Sequence, residues 1–359
     1  MFAYIGCRTS RERNGRGSGL GVFHADTVAK SEWKKIQEVE GLINPSYLLV
    51  SKSGRELYIA HGDQSEVSSF VIDPQSGSVS KLNRQPTYGL NPVHLAFDPS
   101  GSFLLVANYA TGSLAAVPIA MDGSLNPVSD LLFLPGEIGP HRTQQSFSHP
   151  HQILFAPNEK SFVVPDKGLD KIFTVTLDVF TGRFHLDPSK TSNARPGAGP
   201  RHAVFHSNGR FVYLVNELDV SLTTCLYEPE QQILSPINRV SVLPSEHFGE
   251  SSAAGIIIDP TGSFLFVSIR GYNGIAMFAL DPETGIPVLQ GWASSQGTLP
   301  RFITLDNSSK YLLVANEGSD SIVRFSIDQS TGLLTDPHPV IETGSPTCIA
   351  FRTGHAAIS

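Results

Sequence analysis

A set of ionisable residues recurs at matching points of this sequence. The stretches are His149-Pro150-His151, Asp166-Lys167, Gly199-Pro200-Arg201-His202, Asn216-Glu217, Ile269-Arg270, Leu299-Pro300-Arg301 and Asn316-Glu317, with Asn108 at an equivalent point. Imidazoles and carboxylates exchange protons, and guanidinium groups offer a fork of donors that matches a carboxylate or a phosphate. Brought together, these groups would form a pocket for a small polar anion rather than a flat protein-binding face. Duller readings stand beside this one. Arg201 could brace neighbouring structural units, with Glu217 as no more than its ion-pair partner. His149 and His151 have a spacing that metal sites use, but no carboxylate triad or cysteine accompanies them, so no metal and no cofactor is expected.

These groups meet only if the chain folds repetitively, and it carries a repeat. Leu95-Ala-Phe-Asp-Pro-Ser-Gly-Ser-Phe-Leu-Leu-Val-Ala-Asn108 returns as Ile256-Ile-Ile-Asp-Pro-Thr-Gly-Ser-Phe-Leu-Phe-Val-Ser268 and as Phe302-Ile-Thr-Leu-Asp-Asn-Ser-Ser-Lys-Tyr-Leu-Leu-Val-Ala-Asn316. Weaker copies run over 48–60, 153–166 and 203–216. Each is followed by an alternating run and an Asp-rich turn, as in Phe70-Val-Ile-Asp-Pro-Gln-Ser-Gly77 and Phe278-Ala-Leu-Asp-Pro-Glu-Thr-Gly285. Each unit therefore holds four short strands. Asp73, Asp98, Asp259 and Asp281 precede proline and are assigned to turns, not to chemistry.

The residues Arg8, Gly62, Tyr109, Lys167, Glu217, Arg270 and Glu317 close successive second strands at intervals of 47 to 58 residues. Four strands at a period of about 50 residues is the signature of a β-propeller blade. The expectation is all-β: one seven-bladed propeller domain over 1–359. Phe2 to Cys7 lacks a first strand and Cys348 to Arg352 lacks a second, so the two termini are expected to complete one blade and leave no open edge. Gly15-Arg-Gly-Ser-Gly19 has no strand-to-helix context for a phosphate loop and is assigned to a loop of that blade. With strands lettered A to D from the axis outward, antiparallel order puts the start of A and the end of B on one face. The ionisable stretches all occupy those two places, so they should ring one mouth of the central channel.

Composition narrows the function classes. Gly 32 and Pro 25 amount to about 16% of the chain, against roughly 12% in average proteins, which disfavours a helical bundle. A net charge of −7 disfavours nucleic-acid binding, and no apolar stretch is long enough to span a membrane. The N-terminus has no basic segment before an apolar one, and Cys7, Cys225 and Cys348 form no C-x-x-C pair; a cytoplasmic location with buried, unpaired cysteines is expected. The oligomeric state is left open.

Gly197-Ala-Gly-Pro-Arg-His-Ala-Val-Phe-His206, with Tyr213-Leu-Val-Asn-Glu-Leu218, closely resembles the lactonase family of seven-bladed propellers. That family's activities include opening of 6-phosphogluconolactone and cyclisation of 3-carboxy-cis,cis-muconate. Val164-Pro-Asp-Lys-Gly-Leu-Asp-Lys-Ile172 is similar to another family segment, and the match spans essentially the whole chain. It departs at Lys167 and Ile269. The resemblance implies a metal-independent hydrolase for an acidic, sugar-derived lactone, with His149 or His151, Arg201, Glu217 and Arg270 as catalytic groups. Glu217 or one histidine would be the base, Arg201 the oxyanion stabiliser, and Arg270 and Arg301 the anchors for the substrate's anion. Asn108, Asp166, Lys167, His202 and Glu317 would line the substrate pocket. Carboxymuconate cycloisomerisation is the alternative within the family, and a non-catalytic propeller scaffold the alternative outside it.

Overall fold

A computed structural model of the chain describes residues 1–28 and 32–352; residues 29–31 and 353–359 of the expected propeller lie outside the described residues. Apart from two short 3-10 turns, the elements are strands, in seven sheets built A-B-C-D by chain order. The turns form as their residue types dictate. In the A–B turn of one blade, Asp98 accepts hydrogen bonds from the backbone N–H groups of Ser100 (3.0 Å) and Phe103 (2.6 Å), and Gly101 supplies a left-handed φ of 74°. The outer turns repeat the device: Asp281 accepts from the N–H groups of Glu283 and Thr284.

The apolar residues of the A, B and C strands face neighbouring sheets, so the core lies between blades rather than within one. One such layer stacks Tyr213, Val215 and Leu222 of one blade on Leu265, Val267 and Ile269 of the next. The blades also clasp at their rims. Phe211 begins a B strand, and a Cβ on Gly285 of the following blade would stand 2.5 Å from its ring, at a φ of 70°. Only glycine allows that approach. Tyr213 Oη then donates to the Gly285 carbonyl at 2.9 Å.

Ring closure follows the sequence reading. Phe2–Cys7 pairs antiparallel with Pro346–Arg352, placing Ile5 opposite Ile349, and continues into Gly19–His24 and Lys34–Glu40. Two details were not anticipated. In the blade of Phe162–Asp166 the A strand shrinks to Leu154–Phe155 plus a bridge from Pro150 to Asp166, and Ser192–Asn193 adds a short fifth strand on Lys171–Asp178. The glycines at 15–19 are also tightly packed: a Cβ on Gly17 would lie 2.1 Å from Cys7 Sγ.

Deleting residues 1–7 removes Tyr4 and Ile5, each at most 1% exposed, and uncovers two strand edges. Loss of these two side chains alone costs about 3–6 kcal/mol, comparable with a whole domain's stability of about 5–15 kcal/mol. The truncated chain should show no cooperative thermal transition by circular dichroism, whereas an unchanged melting curve would refute this closure.

Candidate active site

The backbone builds the mouth by one repeated device. The residue before the first proline of the A strand takes a left-handed conformation in five blades: Asn44, Asn91, Gly199, Leu299 and Ser345, with φ between 40° and 65°. In these blades and in the one entered by His149, that residue's carbonyl accepts the N–H of the residue just past the B strand. The six residues so held are Arg8, Gly62, Tyr109, Lys167, Glu217 and Glu317, at 2.7–3.1 Å. A second device acts on the A strand. Its register slips between Pro200 and His202 and between Pro300 and Phe302, leaving Arg201 and Arg301 as the extra residues of two β-bulges. Bulges re-aim side chains, and here they turn Arg301 into the cavity and Arg201 onto Glu217.

Glu217 is the hub. Its Oε1 lies 2.9 Å from Lys167 Nζ, and its Oε2 lies 3.0 Å from Arg201 Nε and 3.3 Å from Arg270 Nη2. Burial would raise the carboxyl's pKa, but Arg270, Lys167 and Arg201 overcome that and hold it well below the usual carboxylate range. Glu217 is therefore ionised at any physiological pH and a weak proton acceptor. Arg201 is 2% exposed and also donates to the Ala254 carbonyl at 2.5 Å. Burial lowers its pKa to about 9, so it remains charged. It stands behind Glu217 instead of lining the cavity, while Lys167 and Arg270 face in.

The two histidines of the His149-x-His151 pair diverge. His149 Nδ1 bonds the Tyr109 carbonyl at 2.9 Å, and its ring stacks on Tyr109 at 4.3 Å. His151 lines the inner cavity; its Nδ1 lies 3.1 Å from His202 Nε2, and its Nε2 makes no hydrogen bond to any of the described residues. Burial, reinforced by Arg201, Arg301 and Lys167, pulls its pKa well below 6.5, so the ring is neutral. The His202 ring packs edge-on against His94, whose Nε2 lies 2.8 Å from Tyr47 Oη.

Asn108 and Asp166, expected to touch substrate, turn into their own blades. Asn108 is fully buried and donates to Ser113 Oγ at 3.3 Å. Asp166 accepts from Ser148 Oγ and from the N–H groups of His149, Gly168 and Leu169. Burial raises its pKa to about 6. It shapes the turn that presents Lys167. Arg270, Arg301 and Glu317 line the cavity as expected, Arg301 Nε being 3.6 Å from Glu317 Oε2. The cavity has an outer cleft of about 900 Å³ and an inner recess of about 180 Å³.

Sequence reasoning placed Arg8 at the rim without giving it a role and did not single out Gln144 or Asp170. Arg8 lines both parts of the cavity. Gln144, from the loop over the mouth, accepts from Lys167 Nζ at 2.8 Å; nothing in the repeat marks that loop. Asp170 accepts the N–H groups of Gly197 and Gly199 at 2.7 Å each and so fixes the approach to Arg201 and Glu217. Replacing Asp170 by alanine should cost about 1–3 kcal/mol in stability through the freed donors. It should also lower kcat about tenfold with little change in KM, and Asp170→Asn should recover part of kcat. Wild-type kcat in Asp170→Ala would refute this positioning role. Among the described residues no three His, Cys, Asp or Glu side chains gather as a metal-binding group, and no helix is long and apolar enough to cross a membrane.

A seven-bladed propeller with a cation-rich cavity at one mouth fits a small-molecule enzyme of the propeller-lactonase class. The profile described as "Lactonase, 7-bladed beta-propeller" matches residues 2–351, and the chain belongs to that family. Among its relatives, a 6-phosphogluconolactonase of Bacillus subtilis (strain 168) is 32% identical over 356 residues, 98% of this chain and 99% of its own length. A 6-phosphogluconolactonase of Formosa agariphila is 32% identical over 81% of this chain and 83% of its own. The solved periplasmic gluconolactonase of Pseudomonas aeruginosa superposes with a TM-score of 0.89 at 26% identity, covering 97% of this chain and 98% of its own. The chain is a lactone hydrolase with a small-molecule lactone substrate; neither the muconate cyclase nor the scaffold alternative is favoured by these relatives.

Proposed function

We propose that this enzyme opens 6-phosphoglucono-δ-lactone at the mouth cavity, with His151 as base. The observation that carries the reading is an imidazole in the cavity wall, its Nε2 without a hydrogen-bond partner among the described residues, beside cations held on one buried carboxylate. His151 Nδ1–H donates to His202, which leaves Nε2 to accept a proton from water as the water oxygen attacks the lactone carbonyl. Lys167 and Arg270 face the cavity and stabilise the oxyanion that forms, and Glu217, backed by Arg201, holds both cations in place. When the tetrahedral intermediate collapses, the ring C–O bond breaks and the proton on His151 passes to the departing alkoxide. The product is an open sugar acid, which releases one proton at neutral pH. Arg301 anchors the anionic end of the substrate.

The test compares kcat/KM for 6-phosphoglucono-δ-lactone, glucono-δ-lactone and a carboxylated lactone, followed by proton release at mildly acidic pH to limit spontaneous opening. The phosphorylated lactone should lead. Preference for the carboxylated lactone, or turnover of a carboxymuconate without lactone opening, would overturn this assignment.

A further inference from the structure

The two halves of the cavity differ in how closely their ion pairs are made. Around Glu217 every contact is 2.9–3.3 Å. On the opposite side Arg13 closes on Asp63, but the pairs of Arg8 and Arg301 are loose: Arg8 Nε to Glu317 Oε1 is 3.7 Å, Arg8 Nη1 to Asp63 Oδ2 is 4.0 Å, and Arg301 Nε to Glu317 Oε2 is 3.6 Å. One carboxylate, Glu317, is thus shared by two guanidinium groups without closing on either. Arg8 is only 4% exposed, yet its Nε and Nη1 are buried with no hydrogen-bond partner among the described residues. Buried donors left open are costly, and a guanidinium in that state within a cavity wall is poised for an anion that completes it.

The surroundings are built to hold Arg8 there. Its N–H bonds the Ser345 carbonyl at 3.0 Å, across the strand pair that closes the ring. Asn44, fully buried, accepts the N–H groups of Thr9 and Ser10 at 2.9 and 3.1 Å and donates to Asp63 Oδ2 at 3.1 Å. In the next blade the residue at the equivalent rim position is Gly62, where a Cβ would stand 2.6 Å from Arg8 Nη1. A side chain there would displace the guanidinium, so the absent side chain makes room for it. Arg13 lies alongside, locked on Asp63 through Nε at 2.8 Å, and also lines the cavity.

We infer that Arg8, with Arg301 and Arg13, forms the subsite for the tetrahedral phosphate ester of the substrate. The terminal strand pair then both closes the ring and delivers a specificity residue. Three guanidinium groups around one anion suit a dianionic, three-oxygen phosphate better than a planar carboxylate, which a single fork already satisfies. The inference rests on the lactone-opening proposal only for the molecule that carries the phosphate.

The test uses Arg8→Gln, which removes the charge and the fork but keeps a polar end, and Gly62→Ala, which crowds the guanidinium without removing it. Titration calorimetry with inorganic phosphate needs no turnover, so it reads the subsite even if lactone opening fails. Both variants should weaken phosphate binding at least about tenfold. The ratio of kcat/KM for the phosphorylated over the unphosphorylated lactone should fall by a similar factor, and Arg8→Lys should recover part of it. Phosphate should inhibit glucono-δ-lactone hydrolysis competitively. Wild-type phosphate affinity in folded Arg8→Gln, an unchanged lactone ratio, or non-competitive inhibition would each overturn the subsite.

Discussion

His151→Asn should lower kcat for lactone opening by about 10²–10⁴-fold, with KM changed little, because the base acts in the transition state and not in binding. Asparagine can keep a bond to His202 but supplies no nitrogen that accepts a proton. Its folded-state pKa lies well below 6.5, since burial and Arg201 disfavour the charged ring. The neutral form is the active one, so wild-type kcat/KM should hold as pH falls through 6.5 and decline only at lower pH. A stopped-flow pH–rate series checks both points. An acidic limb centred at or above 6.5, or near-wild-type kcat in His151→Asn, would rule this histidine out.

Glu217→Gln should be the most damaging single change to the architecture of the site. It leaves Lys167, Arg201 and Arg270 close together with no counter-charge, and breaking a buried ion pair by removing one partner costs about 3–5 kcal/mol. Turnover should drop about a hundredfold or more as the cations at the oxyanion separate. Because the folded carboxyl titrates far below its ordinary value, its contribution is complete above the unfolded pKa of about 4.3 and fades as pH falls further. Wild-type stability should therefore drop on acidification below about pH 4–5 more steeply than that of Glu217→Gln. Denaturant titrations at pH 7 and pH 4 measure this difference. Equal stability of the two proteins at pH 7 would contradict the hub.

Much of this was readable from sequence because a propeller writes its fold as a period. Every blade repeats one apolar rhythm, and antiparallel order alone puts Arg201 and Glu217 on one face, where the ion pair forms at 3.0 Å. The partition within each rim pair was not readable. Asn108 and Asp166 occupy the last strand position and bond inward, whereas Lys167 and Glu217, one residue later, face the mouth. The residue past the strand is held by the carbonyl of the residue before proline, left-handed in five blades, and the side chain of Leu299 gives no hint that it adopts φ 53°. The separation of His149 from His151 was hidden for a similar reason. Two residues apart on a regular strand they would share a side, but here the strand is reduced to a single bridge at Pro150. Arg8 was placed at the rim by the period but given no role, because it follows a strand that the chain's two ends pair to complete and stands outside the ion-rich stretches.

The central claim is that this mouth opens a phosphorylated lactone by way of His151. The most direct measurement is an NMR time course of 6-phosphoglucono-δ-lactone disappearance with equal amounts of wild type and His151→Asn against buffer alone. Wild type should consume the lactone far faster than buffer, with the variant close to the spontaneous rate. Wild type matching buffer, or the variant matching wild type, would contradict it.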